Sequence, residues 1–162
     1  MKSKYQMLAL FILLVTFVGL LGGWFTHTSV RDWYPTLIKP SWTPPNWVFG
    51  PVWTILYLLM AFAIWLVWQE RPQTDAYFWF GIQLTLNLLW SFLFFFLQSP
   101  LTALVGICFL WWSIVMTMIV FWKYSRLATL LLIPYIIWVT FAVALNLGIV
   151  TMQSFLRTVN HF

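Results

Sequence analysis

Residues 76–122 read AYFWFGIQLTLNLLWSFLFFFLQSPLTALVGICFLWWSIVMTMIVFW, with no charged side chain between Asp75 and Lys123. A helix needs about 20 residues to cross the roughly 30 Å hydrocarbon core of a bilayer, so this stretch is about two crossings long and must fold back on itself. The turn is predicted at Gln98-Ser99-Pro100, giving helices near 76–97 and 101–122. The apolar runs are continuous and do not alternate with polar residues, which selects helices over a transmembrane barrel.

Working outward, a second uncharged run over 47–68 carries Pro51 in its first turns, where a missing N–H is tolerated, and stops at Glu70-Arg71-Pro72. The run over 7–26 follows Lys2 and Lys4, as a signal peptide would. It is long, however, lacks a small-x-small cleavage site and ends in Gly22-Gly23-Trp24, so it is read as a permanent helix. A last run over 127–152 contains Pro134. The predicted fold class is therefore an all-α membrane protein, a five-transmembrane-helix bundle forming a single domain over 1–162. The connection from His27 to Pro45 is longer than two adjacent helices require and is read as a lid.

Composition points the same way: 63% hydrophobic and 7% charged residues cannot clothe a soluble globule. The net charge of +5 comes from scattered Lys and Arg with no basic run, which argues against nucleic acid and for headgroup contacts. Lys2, Lys4, Arg71, Lys123 and Arg126 fall on the N-terminal side and Arg31, Lys39 and Arg157 on the other, a bias that favours a cytoplasmic N-terminus. Cys108 is the single cysteine, so no internal disulfide forms.

Catalytic chemistry has little to work with. Asp32, Glu70 and Asp75 all fall in connections, which removes the usual intramembrane proton carrier. His27 and His161 are placed too far apart in the topology to meet, and neither a metal site nor a nucleotide-binding, CxxC or triad motif is present. His27 reads as an interfacial histidine, with haem ligation as the alternative.

Aromatic surface remains. Phe49, Trp53 and Tyr57 recur at steps of four on one helix face, as do Gln83, Asn87 and Ser91 with Trp90 beside them, and Pro134, Trp138, Ala142 and Asn146. Large rings with one or two amides suit an apolar pocket with a few orienting hydrogen bonds. They equally suit helix packing with amides as interhelical glue. Trp24, Trp47, Trp68, Trp79 and Trp122 lie near predicted helix ends and read as an interfacial belt, while Trp65, Trp111 and Trp112 lie deeper and take no ligand role. Gly19-x-x-x-Gly23 and Ala144-x-x-x-Gly148 allow close helix approach, within one chain or in a homodimer. Residues 120–126 fit a proposed sterol-contact pattern that many membrane proteins match by chance.

Three blocks resemble the TspO/MBR family of translocator and tryptophan-rich sensory proteins. The first runs from Trp33-Tyr34 through Lys39-Pro40-Ser41-Trp42-Thr43-Pro44-Pro45 to Phe49-Gly50-Pro51-Val52-Trp53 and Leu56-Tyr57. The second is Gln83-Leu84, Leu86-Asn87 and Trp90, and the third is Pro134-Tyr135, Trp138, Phe141-Ala142 and Leu145-Asn146. The resemblance implies a five-helix bundle, often dimeric, whose pocket under the first loop binds porphyrins or haem, and synthetic isoquinoline carboxamides or benzodiazepines. It places Tyr34, Pro44, Trp53, Asn87, Trp90, Trp138, Ala142 and Asn146 around the ligand, with 33–45 as the lid. It implies stacking of the macrocycle on Trp53 and Trp138, with Asn87 or Lys39 meeting a propionate, and no obligatory cofactor.

Two departures stand out. Leu147-Gly148-Ile149-Val150-Thr151 replaces the sterol motif of animal relatives, which puts sterol binding in doubt and suggests a bacterial member. Ser91 stands where relatives often have proline, which predicts a straighter third helix. The function implied is porphyrin sensing, buffering or transfer. Light-dependent porphyrin degradation through Trp53 or Trp138, and transport of porphyrin or another small molecule, are the alternatives.

Overall fold

The structure is a computed structural model and describes residues 3–159; Lys2 and His161 lie outside the described residues. Six helices account for nearly all of it: α1 (Lys4–Asp32), α2 (Phe49–Gln69), α3 (Thr74–Ser91), α4 (Pro100–Trp122), α5 (Arg126–Leu131) and α6 (Ile133–Val159). Five stretches are long and apolar enough to cross a membrane: Lys4–His27, Asn46–Gln69, Thr74–Phe96, Pro100–Trp122 and Arg126–Phe155. The chain is thus a multi-pass membrane protein, and helices are the form in which such segments satisfy their own backbone groups in lipid. Inside the bundle, α3 packs on α4, α1 on α2, α4 on α6 and α2 on α5. Val15, Met60, Ile64, Ile107, Leu110, Phe121 and Tyr135 are fully buried between them, while Phe17, Leu101, Phe109 and Ile137 face outward.

Three boundaries differ from the sequence reading. Helix α1 runs on past Thr26 to Asp32, since loss of apolar character marks the edge of the hydrocarbon layer and does not end a helix. The last span is broken at Leu132, two residues before Pro134, whose missing N–H and bulky ring disfavour an unbroken helix there. The Ser125 hydroxyl caps the short α5 by accepting from the Ala128 N–H at 3.3 Å.

The third difference is at Ser91. No straight α-helix runs from there to Leu97; the chain widens into a π turn over Phe92–Phe96, closed by the Leu97 N–H donating to the Phe92 carbonyl at 2.9 Å. Widening frees carbonyls, and the Ser29 hydroxyl of α1 donates to that of Phe95 at 2.5 Å. This places Phe94 inward, buried, and Phe95 beside it, half-buried.

The connection between α1 and α2 is folded onto the bundle. Its Lys39 ammonium donates to the carbonyls of Tyr34 at 2.7 Å and Leu37 at 2.9 Å, and lies 4.8 Å from the centre of the Tyr34 ring. Trp42 meets Phe141 of α6 edge-on at 5.5 Å. Pro40 is buried against Gly148 of α6, where a Cβ would come within 2.6 Å of the Pro40 Cγ. A proline ring is stiff, so Gly148→Ala is expected to push the lid off α6 and to cost about 1–3 kcal/mol. Thermal unfolding in the same lipid, with faster proteolysis of the 33–45 segment, checks this.

Both small-residue motifs are used within the chain. A Cβ on Gly19 would lie 2.9 Å from the Tyr57 ring, so glycine there lets α2 bring that ring against α1, while Gly148 receives the lid.

Candidate functional site

A cavity of about 560 Å³ lies between α1 and α2 beneath the lid end of the bundle. Its volume falls inside the roughly 300–1,000 Å³ typical of small-molecule sites. From α2 come Phe49, Trp53 and Tyr57, the predicted ring face; from α3, Trp90 and Ser91; from the π turn, Phe95; from the lid, Tyr34; and from the turn leading into α2, Asn46. The opposite wall is α1, through Thr16, Gly19, Gly23, His27 and Arg31. Leu20 and Leu58 also border it and are exposed, so the cavity opens sideways toward lipid.

The rings form a connected cluster. Trp53 lies 5.8 Å from Tyr57, 6.4 Å from Trp90 and 6.2 Å from Tyr135, centre to centre. Tyr57 is fixed from behind: its hydroxyl donates to the Asn87 Oδ1 at 2.6 Å, and the Asn87 amide donates to the Tyr135 hydroxyl at 3.1 Å. Asn87 is buried and does not border the cavity; its part is to hold the wall.

The remaining predicted residues are distributed around this site. A second void of about 30 Å³ is bordered by Ala142 and Asn146 and shares Tyr34, Phe49, Trp90 and Phe95 with the main cavity. Those four rings therefore stand as a partition. Asn146 is held by a bond from the Trp90 indole at 3.4 Å and donates to the Pro100 carbonyl at 2.8 Å. Trp138 borders neither space; it meets Phe49 edge-on at 5.8 Å, and its indole N–H is buried without a partner among the described residues. Gln83 is buried deeper, its amide 3.7 Å from the Met60 sulfur. Pro44 and Lys39 belong to the lid and border neither space.

The α1 wall was missing from the sequence reading as a site. Thr16, Gly19, Gly23, His27 and Arg31 recur at steps of three and four, a helical stripe that the small-residue motif disguised as packing. Phe95 was hidden for another reason, since a π turn shifts the register that α-helical spacing assumes.

Tyr34 is the polar group that the protein leaves unmatched at this site. It is 4% exposed, and its hydroxyl has no partner among the described residues. Burial pushes its phenol up to about 12, so it is a neutral donor throughout the physiological range.

Comparison with known proteins bears on what such a site is for. The profile of the TspO/MBR family matches residues 11–152. The chain belongs to the TspO/MBR family. It is 46% identical over 157 residues to the tryptophan-rich protein TspO of Chlorobaculum tepidum, covering 94% of this chain and 99% of that one. The TspO of Archaeoglobus fulgidus is 43% identical over 145 residues, covering 88% and 94% of the two chains. The human translocator protein is 38% identical over 130 residues, 77% of each chain. The TspO/MBR match spans α1 to α6, so it includes the lid, the α1 wall and the ring cluster alike.

Proposed function

We propose that this TspO/MBR protein binds flat tetrapyrroles, porphyrin or haem, in the cavity between α1 and α2, and so senses, buffers or hands on these molecules at the membrane. The observation that carries this reading is the cavity, about 560 Å³ and bordered by Phe49, Trp53, Tyr57, Trp90 and Phe95. A planar macrocycle stacks on such rings at an offset, and its apolar faces leave lipid for a surface of equal apolarity and better fit. The sideways opening at Leu20 and Leu58 suits a ligand that partitions into the bilayer before it binds. The relatives' names, tryptophan-rich sensory protein and translocator protein, agree with a ligand-responsive membrane component.

Protoporphyrin IX titrated in the dark into the protein in lipid nanodiscs is expected to quench tryptophan fluorescence saturably. Quenching that rises without saturation, at the slope set by the porphyrin taken up by empty nanodiscs, would overturn the reading.

A further inference from the structure

We propose that Arg31, with His27 one helical turn before it, receives a carboxylate of the bound macrocycle at the cavity mouth, so that the site selects tetrapyrroles bearing free acid groups over their esters. This assignment rests on the tetrapyrrole reading above.

Among all residues bordering the cavity, Arg31 and His27 are the only ones with a basic side chain, and no Asp or Glu is among them. Arg31 is exposed and makes no hydrogen bond or ion pair among the described residues. The one ion pair there, Lys123 with Asp75 at 3.9 Å, joins the end of α4 to the start of α3 and lies far along the chain. Asp32 follows Arg31 directly but neither borders the cavity nor pairs with it. Arg31 stands in the last turn of α1, where the helix's carbonyl end and the adjacent Asp32 oppose an anion, so a carboxylate there is held by the guanidinium against that background, from the cavity side.

The two groups that the sequence reading offered to a propionate are already engaged. Lys39 is bound to lid carbonyls and Asn87 to two tyrosine hydroxyls. Arg31 is unpaired among the described residues, and its planar fork of donors matches a carboxylate in a way an ammonium does not. Its position is also consistent with charge: the apolar span ends at His27, so Arg31 stands beyond the hydrocarbon layer. A ligand with an apolar body among Trp53 and Tyr57 can keep its acid edge there without burying the charge. Tyr34, whose buried hydroxyl has no partner among the described residues, borders the same cavity.

The test compares protoporphyrin IX with its dimethyl ester, each titrated in the dark into the wild type, Arg31→Gln and Arg31→Lys in phosphatidylcholine nanodiscs. The wild type is expected to prefer the diacid by about tenfold, the order of one charge-assisted hydrogen bond at a partly exposed position. In Arg31→Gln the ratio should fall to near one, and Arg31→Lys should retain an intermediate preference. Thermal unfolding of each variant is read alongside, since a merely structural role would weaken both ligands equally. Equal affinity of diacid and ester in the wild type, or a preference that persists in Arg31→Gln, would overturn the assignment and leave the tetrapyrrole reading standing. Failure of both compounds to saturate the wild type would overturn both together.

Discussion

Trp53→Ala is expected to weaken protoporphyrin binding by about 30- to 100-fold. The ring lies at the centre of the aromatic cluster, within 6.4 Å of Tyr57, Trp90 and Tyr135, and borders the cavity directly. Removing it forfeits a stacking partner, about 0.5–1.5 kcal/mol. It also removes on the order of ten dispersion contacts at about 0.1–0.2 kcal/mol each, the packing gain that remains for a ligand drawn from lipid. Trp53→Phe keeps a ring and should lose less than about fivefold on the same grounds. The informative contrast is Trp138→Ala. Trp138 touches the site only through Phe49, so its loss should cost well under the Trp53 effect. Dark titrations of the three variants decide this, and a Trp138 effect equal to that of Trp53 would move the ligand toward α6 and the smaller void.

The second large effect is on the wall and on stability together. Asn87 is 1% exposed and accepts from Tyr57 while donating to Tyr135, which is fully buried. Asn87→Leu removes both bonds and leaves two hydroxyls without partners. Interhelical hydrogen bonds in lipid contribute about 0.6–2 kcal/mol each, and an orphaned buried hydroxyl adds about 1–3. A loss of about 2–4 kcal/mol follows, read by denaturant titration in mixed micelles. Tyr135→Phe removes one bond and no wall, so it should cost only about 1 kcal/mol. Asn87→Leu should also lower porphyrin affinity, because Tyr57 is no longer held in place. A variant with native stability and native affinity would show that the amide is dispensable.

How much of this was legible beforehand depends on what kind of signal each feature leaves. The spans were readable from missing charge alone, because the hydrocarbon layer excludes charge whatever the tertiary packing. The ring face of α2 was readable because helical spacing and helical structure coincide from Phe49 to Tyr57. Spacing left open whether the amides line a pocket or hold helices together. The structure places Asn87 behind the cavity wall and Asn146 on the small void, a division that depends on how α3 and α6 rotate against α2. Lys39 reads as a free cation in the sequence, yet folding turns it onto carbonyls of its own loop. Arg31 reads as a topology signal, and only the approach of α1 to α2 at Gly19 brings its helix face to the cavity.

The most direct measurement is a dark protoporphyrin titration of the wild type beside Gly23→Phe. Gly23 borders the cavity, and a Cβ there meets nothing within 4 Å, so the substitution fills the space without disturbing the packing behind it. Saturable quenching in the wild type that disappears in a Gly23→Phe protein of unchanged thermal stability is the predicted result. Equal saturable quenching in both would place the porphyrin outside the cavity between α1 and α2.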